Sequence, residues 1–296
     1  MPAGHAVKTT VFGGGGFLGS HVCDVLSAAG HKVTIFDLND APWRSPAHKL
    51  VRGDILDQAA VRAAVEGARY VFNFAGISEL DYAMARPIDT AQTNIIGNLN
   101  IMEACRHANA ERYVYASTVY VYSKDGGFYR CSKHACELFI EEYQRTYGLA
   151  FSILRYGSLY GPRSNSSNGV YRIVRRALES GEICYEGHPE ALREYIHVED
   201  AARSSVEMLK PEYANQHVIL TGHKPMRVYD FLKMLGEMLG IEKGVQYVEN
   251  HHTGHYVRTP YSYNPKIGLK YAPPLHVDLG QGLLRLIEEV DMELKH

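Results

Sequence analysis

A predicted short strand, Lys8 to Phe12, runs directly into Gly13-Gly14-Gly15-Gly16-Phe17-Leu18-Gly19, and this glycine turn limits the folds open to the chain more than any other feature. A helix is predicted from Phe17 to Ala29, because Leu18, Val22, Val25 and Leu26 recur at helical spacing, and Gly30 ends it. Gly13, Gly16 and Gly19 fall three apart between strand and helix. That spacing lets the backbone turn tightly, approach a pyrophosphate closely and present the positive end of the helix to it. Gly13, Gly16 and Gly19, with Phe17 and Leu18 between them, are therefore the expected cofactor-binding residues of the turn. The second strand, Val33 to Phe36, ends at Asp37. A carboxylate there accepts hydrogen bonds from a ribose 2′-hydroxyl and repels a 2′-phosphate, and no arginine follows immediately, so the expected cofactor is NAD rather than NADP.

Alternation continues along the chain. A third strand, Leu50 to Arg52, ends at Gly53-Asp54-Ile55, where Asp54 and Ile55 are candidates to flank the adenine or simply form a loop. Then come a helix near Asp57 to Glu66, a strand at Tyr70 to Phe74, a long helix at about Thr90 to Ala108, a strand at Tyr113 to Ala116, a helix at about Phe128 to Tyr147 and a strand at Phe151 to Leu154. Strands alternating with helices imply parallel pairing through right-handed crossovers. The expected fold class is α/β, a doubly wound parallel sheet of Rossmann type with a smaller mixed C-terminal substrate lobe and its ligand at the carboxyl ends of the strands. Residues 1–163 and 193–222 form the expected NAD-binding domain; residues 164–192 and 223–296 form the expected substrate lobe. The polar run from Gly161 to Gly169 reads as a surface lid or lobe boundary, and further helices are expected near Val170 to Ser180, Val198 to Leu209, Val228 to Leu239 and Leu279 to Val290.

Composition closes off several function classes. Lys plus Arg number 31 against 33 for Asp plus Glu, a net charge of −2, so no field draws in nucleic acid or an anionic membrane. Residues 1 to 8 lack a secretory signal, and no stretch approaches the roughly 18 apolar residues of a membrane span. The 5 cysteines have neither disulfide-framework nor zinc-ligand spacing, which points to reduced thiols and a cytoplasmic protein. His251, His252 and His255 lie in a polar stretch without a matching carboxylate or cysteine pattern, so no metal is expected.

Tyr129 and Lys133, separated by Arg130-Cys131-Ser132, lie about 110 residues beyond the glycine turn. A helical tyrosine with a lysine one turn later supplies a phenol whose proton moves near neutral pH, although the same spacing on its own is common in surface pairs.

With these residues in view, the chain resembles the extended short-chain dehydrogenase/reductases, specifically the NAD-dependent sugar-nucleotide epimerase/dehydratase group. The resemblance runs through Gly13 to Gly19 with Ser20-His21, Asp37, Gly53-Asp54-Ile55, Asn73-Phe74-Ala75-Gly76, Asn94-Ile95-Ile96-Gly97-Asn98 and Ser117 to Tyr122. It continues through Tyr129 to Lys133, Leu154-Arg155-Tyr156, Tyr160-Gly161-Pro162 and Arg193 to Asp200.

The resemblance implies that Tyr129 is the catalytic acid or base. Lys133 lowers its pKa and holds the nicotinamide ribose, and oxidised nicotinamide adds further positive charge. Thr118 hydrogen-bonds the reacting oxygen, with Ser117 the alternative hydroxyl. Ala75 and Asn94 join the cofactor contacts, Asn94 either ordering water or backbone or capping a bend in its helix. Arg193 is implied to bind the nucleotide diphosphate, against the alternative of a solvated surface arginine, and Ser158 stands where many members carry an asparagine near that diphosphate. A homodimer through the helices at Thr90 to Ala108 and Phe128 to Tyr147 is also implied.

Three departures narrow the chemistry. Dehydratases of the group carry acids just after the catalytic hydroxyl, where this chain has Val119 and Tyr120, which disfavours elimination. The loop from Thr118 to Tyr129 is short for the group, and Ser123 replaces a glycine. The reading favoured is an NAD-dependent sugar-nucleotide epimerase acting at carbon 4 through a 4-keto sugar, ahead of a dehydrogenase or ketoreductase and then a 4,6-dehydratase.

Overall fold

The computed structural model describes residues 7–241, 245–248, 257, 269–271, 273 and 275–295. The first half of the chain runs through β1 (Lys8–Phe12), α1 (Phe17–Ala28), β2 (Lys32–Asp37), β3 (Lys49–Arg52), α2 (Gln58–Val65), β4 (Tyr70–Asn73), α3 (Leu80–Ala85) and α4 (Pro87–Ala91). A π-helical turn (Gln92–Ile96) joins α4 to α5 (Gly97–His107), followed by β5 (Arg112–Thr118), a 3-10 turn (Val119–Tyr122) and α6 (Gly127–Tyr147). Next come β6 (Phe151–Tyr156), β7 (Ser158–Tyr160), α7 (Gly169–Ser180), β8 (Cys184–Glu186), β9 (Leu192–Arg193), β10 (Tyr195–His197) and α8 (Val198–Glu207). The chain closes through β11 (Gln216–Leu220), β12 (Met226–Arg227), α9 (Val228–Leu239), β13 (Gln246–Val248), β14 (Leu269–Tyr271) and α10 (Leu279–Lys295).

Eight strands form one sheet in the order β14, β11, β6, β5, β4, β1, β2, β3, and every neighbouring pair is parallel. This is the expected doubly wound α/β fold. Strand order reverses where β1 lies beside β4, and crevices of such sheets open at that point, beyond the carboxyl ends of the strands.

Successive side chains of a strand face opposite ways, so each strand feeds two cores. Phe12, Tyr113, Tyr115 and Ile153 pack with Val61 of α2, Ile101 and Met102 of α5 and Ile140 of α6. Their neighbours Val11, Val114 and Leu154 pack with Val22 and Leu26 of α1 and Ala201 of α8. Fully burying each large apolar side chain contributes about 1.5–3 kcal/mol, and the two layers together fix the sheet against rotation of any one helix.

A third core holds Val174 of α7, Phe231 and Leu235 of α9, and Leu283, Leu286 and Val290 of α10. These elements belong to the segments read as a substrate lobe. One strand of the later segment, β14, instead pairs with β11 and extends the main sheet.

The long helix expected from Thr90 begins earlier, at Pro87, and widens into a π turn at Gln92–Ile96. Within this turn the Asn94 carbonyl accepts from Cys136 Sγ at 3.0 Å, and its side-chain oxygen accepts from Ile77 N at 2.7 Å. The polar run from Gly161 to Gly169 is tied down rather than lid-like. Ser164 Oγ donates to the Gly161 carbonyl at 2.8 Å, Asn168 caps α7 and donates to the Leu159 carbonyl, and Arg163 pairs with Asp24 at 2.8 Å.

Candidate active site

The glycine turn closes by hydrogen bonds from Gly13 N to the Phe36 carbonyl at 2.8 Å and from Gly16 N to the Gly13 carbonyl at 3.2 Å. Gly13 has φ of 72°, a left-handed conformation, and a Cβ there would lie 2.6 Å from Ala75 N. A Cβ on Gly19 would lie 2.1 Å from the Gly13 oxygen. No side chain caps the first turn of α1 at Gly16, so its backbone donors face the crevice unclaimed by the protein's own side chains. Asp37 Oδ2 accepts from Gly15 N at 2.9 Å, which stations the carboxylate beside the turn. Phe17 is half-buried and Leu18 packs into the α1 core. This cradle fits a dinucleotide: its closest approaches admit no Cβ, and its acid stands where an adenosine ribose is bound in such folds.

Two asparagines organise the next strand end. Asn73 donates to Asn98 and to the Tyr113 hydroxyl and accepts from Ala75 N at 3.0 Å, fixing Ala75 against Gly13. Asn94, 3% exposed, accepts from Ile77 N at 2.7 Å and donates to the Ile77 carbonyl and to Ser132 Oγ, both at 2.9 Å. Its amide is thus spent on backbone and on the helix that carries Tyr129. Asp54 is exposed and bonds Leu56 N, whereas Ile55 is turned inward, its Cδ1 facing Gly97 of α5.

Thr118, Tyr129 and Lys133 come together. Thr118, the last residue of β5, hydrogen-bonds the Tyr129 phenol, which lies in the first turn of α6. The Lys133 ammonium lies 5.9 Å from the Tyr129 ring centroid and 4.8 Å from that of Tyr115, and donates to the Ala116 carbonyl at 2.8 Å. Ser117, the alternative hydroxyl, donates to Glu137 Oε1 at 2.5 Å. Adjacent strand residues face opposite sides, so only one of the two hydroxyls reaches Tyr129.

Burial pushes the Tyr129 phenol up to about 12, with the Thr118 hydrogen bond opposing it. Burial pushes Lys133 down to about 8, partly offset by Cys136 and Glu137. In the cofactor-free protein burial therefore leaves the phenol above its ordinary value. Desolvation disfavours the phenolate, so without cofactor the phenol keeps its proton at neutral pH.

Val119 is buried, and Tyr120, in the position of a dehydratase acid, sets its ring edge-on to Tyr129 with centroids 6.4 Å apart. The short loop after it folds on itself, since Ser123 Oγ bonds both Asp125 Oδ2 and Asp125 N, and Arg130 donates to the Ser123 carbonyl at 2.7 Å. Ser158 N bonds the Glu194 carbonyl at 3.0 Å, which puts β7 beside the segment carrying Arg193. Arg193 is 7% exposed, so it is not a solvated surface residue.

Sequence reasoning gave no role to Glu137, Arg155 or Tyr122, which surround Ser117. The four-residue step from Lys133 to Glu137 on one helix face was the available signal. Among the described residues, no group of three His, Cys, Asp or Glu side chains is placed to hold a metal. His251, His252 and His255 lie outside the described residues. No described helix is long and apolar enough to cross a membrane.

Residues 9–221 match the NAD dependent epimerase/dehydratase family. Among curated relatives, a UDP-N-acetyl-alpha-D-glucosaminuronate decarboxylase of Bacillus cytotoxicus is 29% identical over 242 residues, covering 73% of this chain and 74% of the relative. A UDP-glucuronate 4-epimerase of Thermodesulfobacterium geofontis is 25% identical over 269 residues, covering 81% and 83%. Among solved structures, UDP-glucose 4-epimerase of Thermotoga maritima with UDP-glucose superposes with a TM-score of 0.84 at 24% identity, covering 97% of this chain and 100% of that one.

Proposed function

Because the chain belongs to the NAD-dependent epimerase/dehydratase family, we propose that it is a sugar-nucleotide epimerase acting at carbon 4 through a transient 4-keto sugar. The observation that carries this reading is the shared hydrogen bond of Thr118 and Tyr129 beside the Lys133 ammonium, combined with Val119 and Tyr120 where elimination needs acids.

The glycine turn, Asp37 and Ala75 would hold NAD, with Tyr129 and Lys133 at its nicotinamide end. NAD, when bound, supplies a hydride acceptor that can give the hydride back. With NAD bound, Tyr129 Oη in its phenolate form would take the proton of the sugar hydroxyl and later return it, while Thr118 orients the reacting oxygen and the charges of Lys133 and oxidised nicotinamide favour that phenolate. Asn94 would serve the cofactor site by ordering the backbone at Ile77 and the α6 helix at Ser132. Arg193 and Ser158 would hold the nucleotide diphosphate, a guanidinium suiting its oxygens. The keto sugar would turn over in its pocket before Tyr129 returns the proton to its oxygen, and because the electrons accepted by bound NAD would return to the sugar no net redox change would result.

Residues 1–163 and 193–222 would serve as the NAD-binding domain, joined by β14 of the later segment, and the remainder of 164–192 and 223–296 as the substrate lobe. The proposed assembly is a homodimer through the helical segment from Thr90 to Ala108 and through α6, supported by exposed Ile96 of the π turn on one side and Phe128, Leu138, Phe139 and Tyr147 on the other. A cytoplasmic site of action is supported by 5 cysteines that are all free.

The test is to incubate purified protein, without added cofactor, with UDP-, GDP-, dTDP- and CDP-sugars and follow each by NMR. Appearance of a 4-epimer is expected. Loss of water from the sugar would favour a dehydratase, and turnover only with added NAD or NADH would favour a dehydrogenase.

A further inference from the structure

Glu137 lies one turn beyond Lys133 on α6 and is 2% exposed. Its carboxylate accepts from Arg155 Nε at 3.0 Å, from Arg155 Nη2 at 2.5 Å and from Ser117 Oγ at 2.5 Å. Arg155, 3% exposed, also donates to the Tyr122 hydroxyl at 2.5 Å, with its guanidinium carbon 4.7 Å from that ring's centroid. One buried ion pair therefore joins the catalytic helix, the end of the catalytic strand, β6 and the 3-10 turn. Such pairs contribute little net stability over apolar residues of the same volume, because desolvation offsets their attraction. A role in placement accounts better for one located here.

We propose that Glu137 and Arg155 are positioning residues of the Thr118, Tyr129 and Lys133 site, clamping the end of β5 to α6 and setting the local charge that Lys133 faces. The inference rests on the reading of the site given above. From β5, Lys133 meets the Tyr115 ring and the Ala116 carbonyl; from α6 it meets Tyr129, Cys136 and Glu137; Gly76 approaches from the loop after β4. Burial pushes the Cys136 thiol up, so it carries no charge at neutral pH. Glu137 is then the anion that favours the ammonium, and Arg155 is the cation that limits its effect. Removing either partner should move Lys133 in opposite directions.

The experiment is an NMR titration of 15N-lysine-labelled protein without added ligand, with the Lys133 signal assigned by its absence in Lys133→Arg. Glu137→Gln should shift the Lys133 midpoint about one unit to lower pH, and Arg155→Met about one unit to higher pH. Glu137→Asp, which keeps the charge and folds more readily, should leave the midpoint within half of that shift. It should also lower kcat roughly tenfold with little change in KM, because the shorter side chain loosens the clamp. Shifts of the same sign, no shift, or unchanged kcat in Glu137→Asp would overturn the inference. The titration reads the free protein, so absence of epimerase turnover in the wild type would defeat the functional reading without deciding the charge arrangement.

Discussion

Tyr129 holds its proton in the cofactor-free protein, because burial has pushed its phenol up to about 12. On the proposed reading, the positive charge of bound oxidised nicotinamide would favour release of that proton. Tyr129→Phe should lower kcat by about 10²–10⁴-fold and leave nucleotide binding largely intact, read by steady-state kinetics and calorimetry. Lys133 gives a prediction about stability. Its ammonium is pushed from 10.5 down to about 8, so between those values the unfolded chain binds more protons and stability rises with pH. From pH 7.5 to 9.5, urea unfolding of the wild type should gain about 2 kcal/mol relative to Lys133→Met. At this scale the family resemblance was informative: it put Thr118 and Tyr129 in one site, and the two side chains do hydrogen-bond. It could not show that Ser117 is spent on Glu137, since 20 residues and a crossover separate them.

At the scale of elements, long alternating segments were readable and short ones were not. β1, α1, β2 and α6 announce themselves through apolar periodicity and flanking glycines. β9 and β12 have two residues each, too few for any alternation to register. The π turn was hidden for a different reason: a helical pattern does not show that the Asn94 carbonyl within it accepts from Cys136. Two substitutions test these elements. Asn94→Ala leaves the Ile77 backbone groups and Ser132 without their partner, and should cost about 2–3 kcal/mol in denaturant unfolding together with a fall in kcat. Gly19→Ala places a Cβ 2.1 Å from the Gly13 oxygen, so the turn must open. It should abolish the stabilisation that added NAD gives to thermal unfolding.

At the scale of the whole molecule, the doubly wound sheet brings the glycine turn, Asp37, Ala75 and Thr118 to the ends of neighbouring strands from positions far apart in the chain, with Tyr129 of α6 against the last of them. The order of strands and helices made that convergence predictable, whereas the path of β14 into the main sheet was not. Outside the crevice, Leu138 and Phe139 of α6 are 56% and 43% exposed, which suits a face covered by a second copy. Light scattering after gel filtration should give twice the chain mass, falling to a single mass in Leu138→Lys/Phe139→Glu. The central claim is that one carbon surrenders its hydride and receives the same hydride back on its other face while Tyr129 carries the proton. The most direct measurement uses a sugar nucleotide that the protein turns over, deuterated at carbon 4, with no added cofactor. The account predicts the inverted sugar with deuterium retained at that carbon; inversion with deuterium replaced by solvent hydrogen would contradict it.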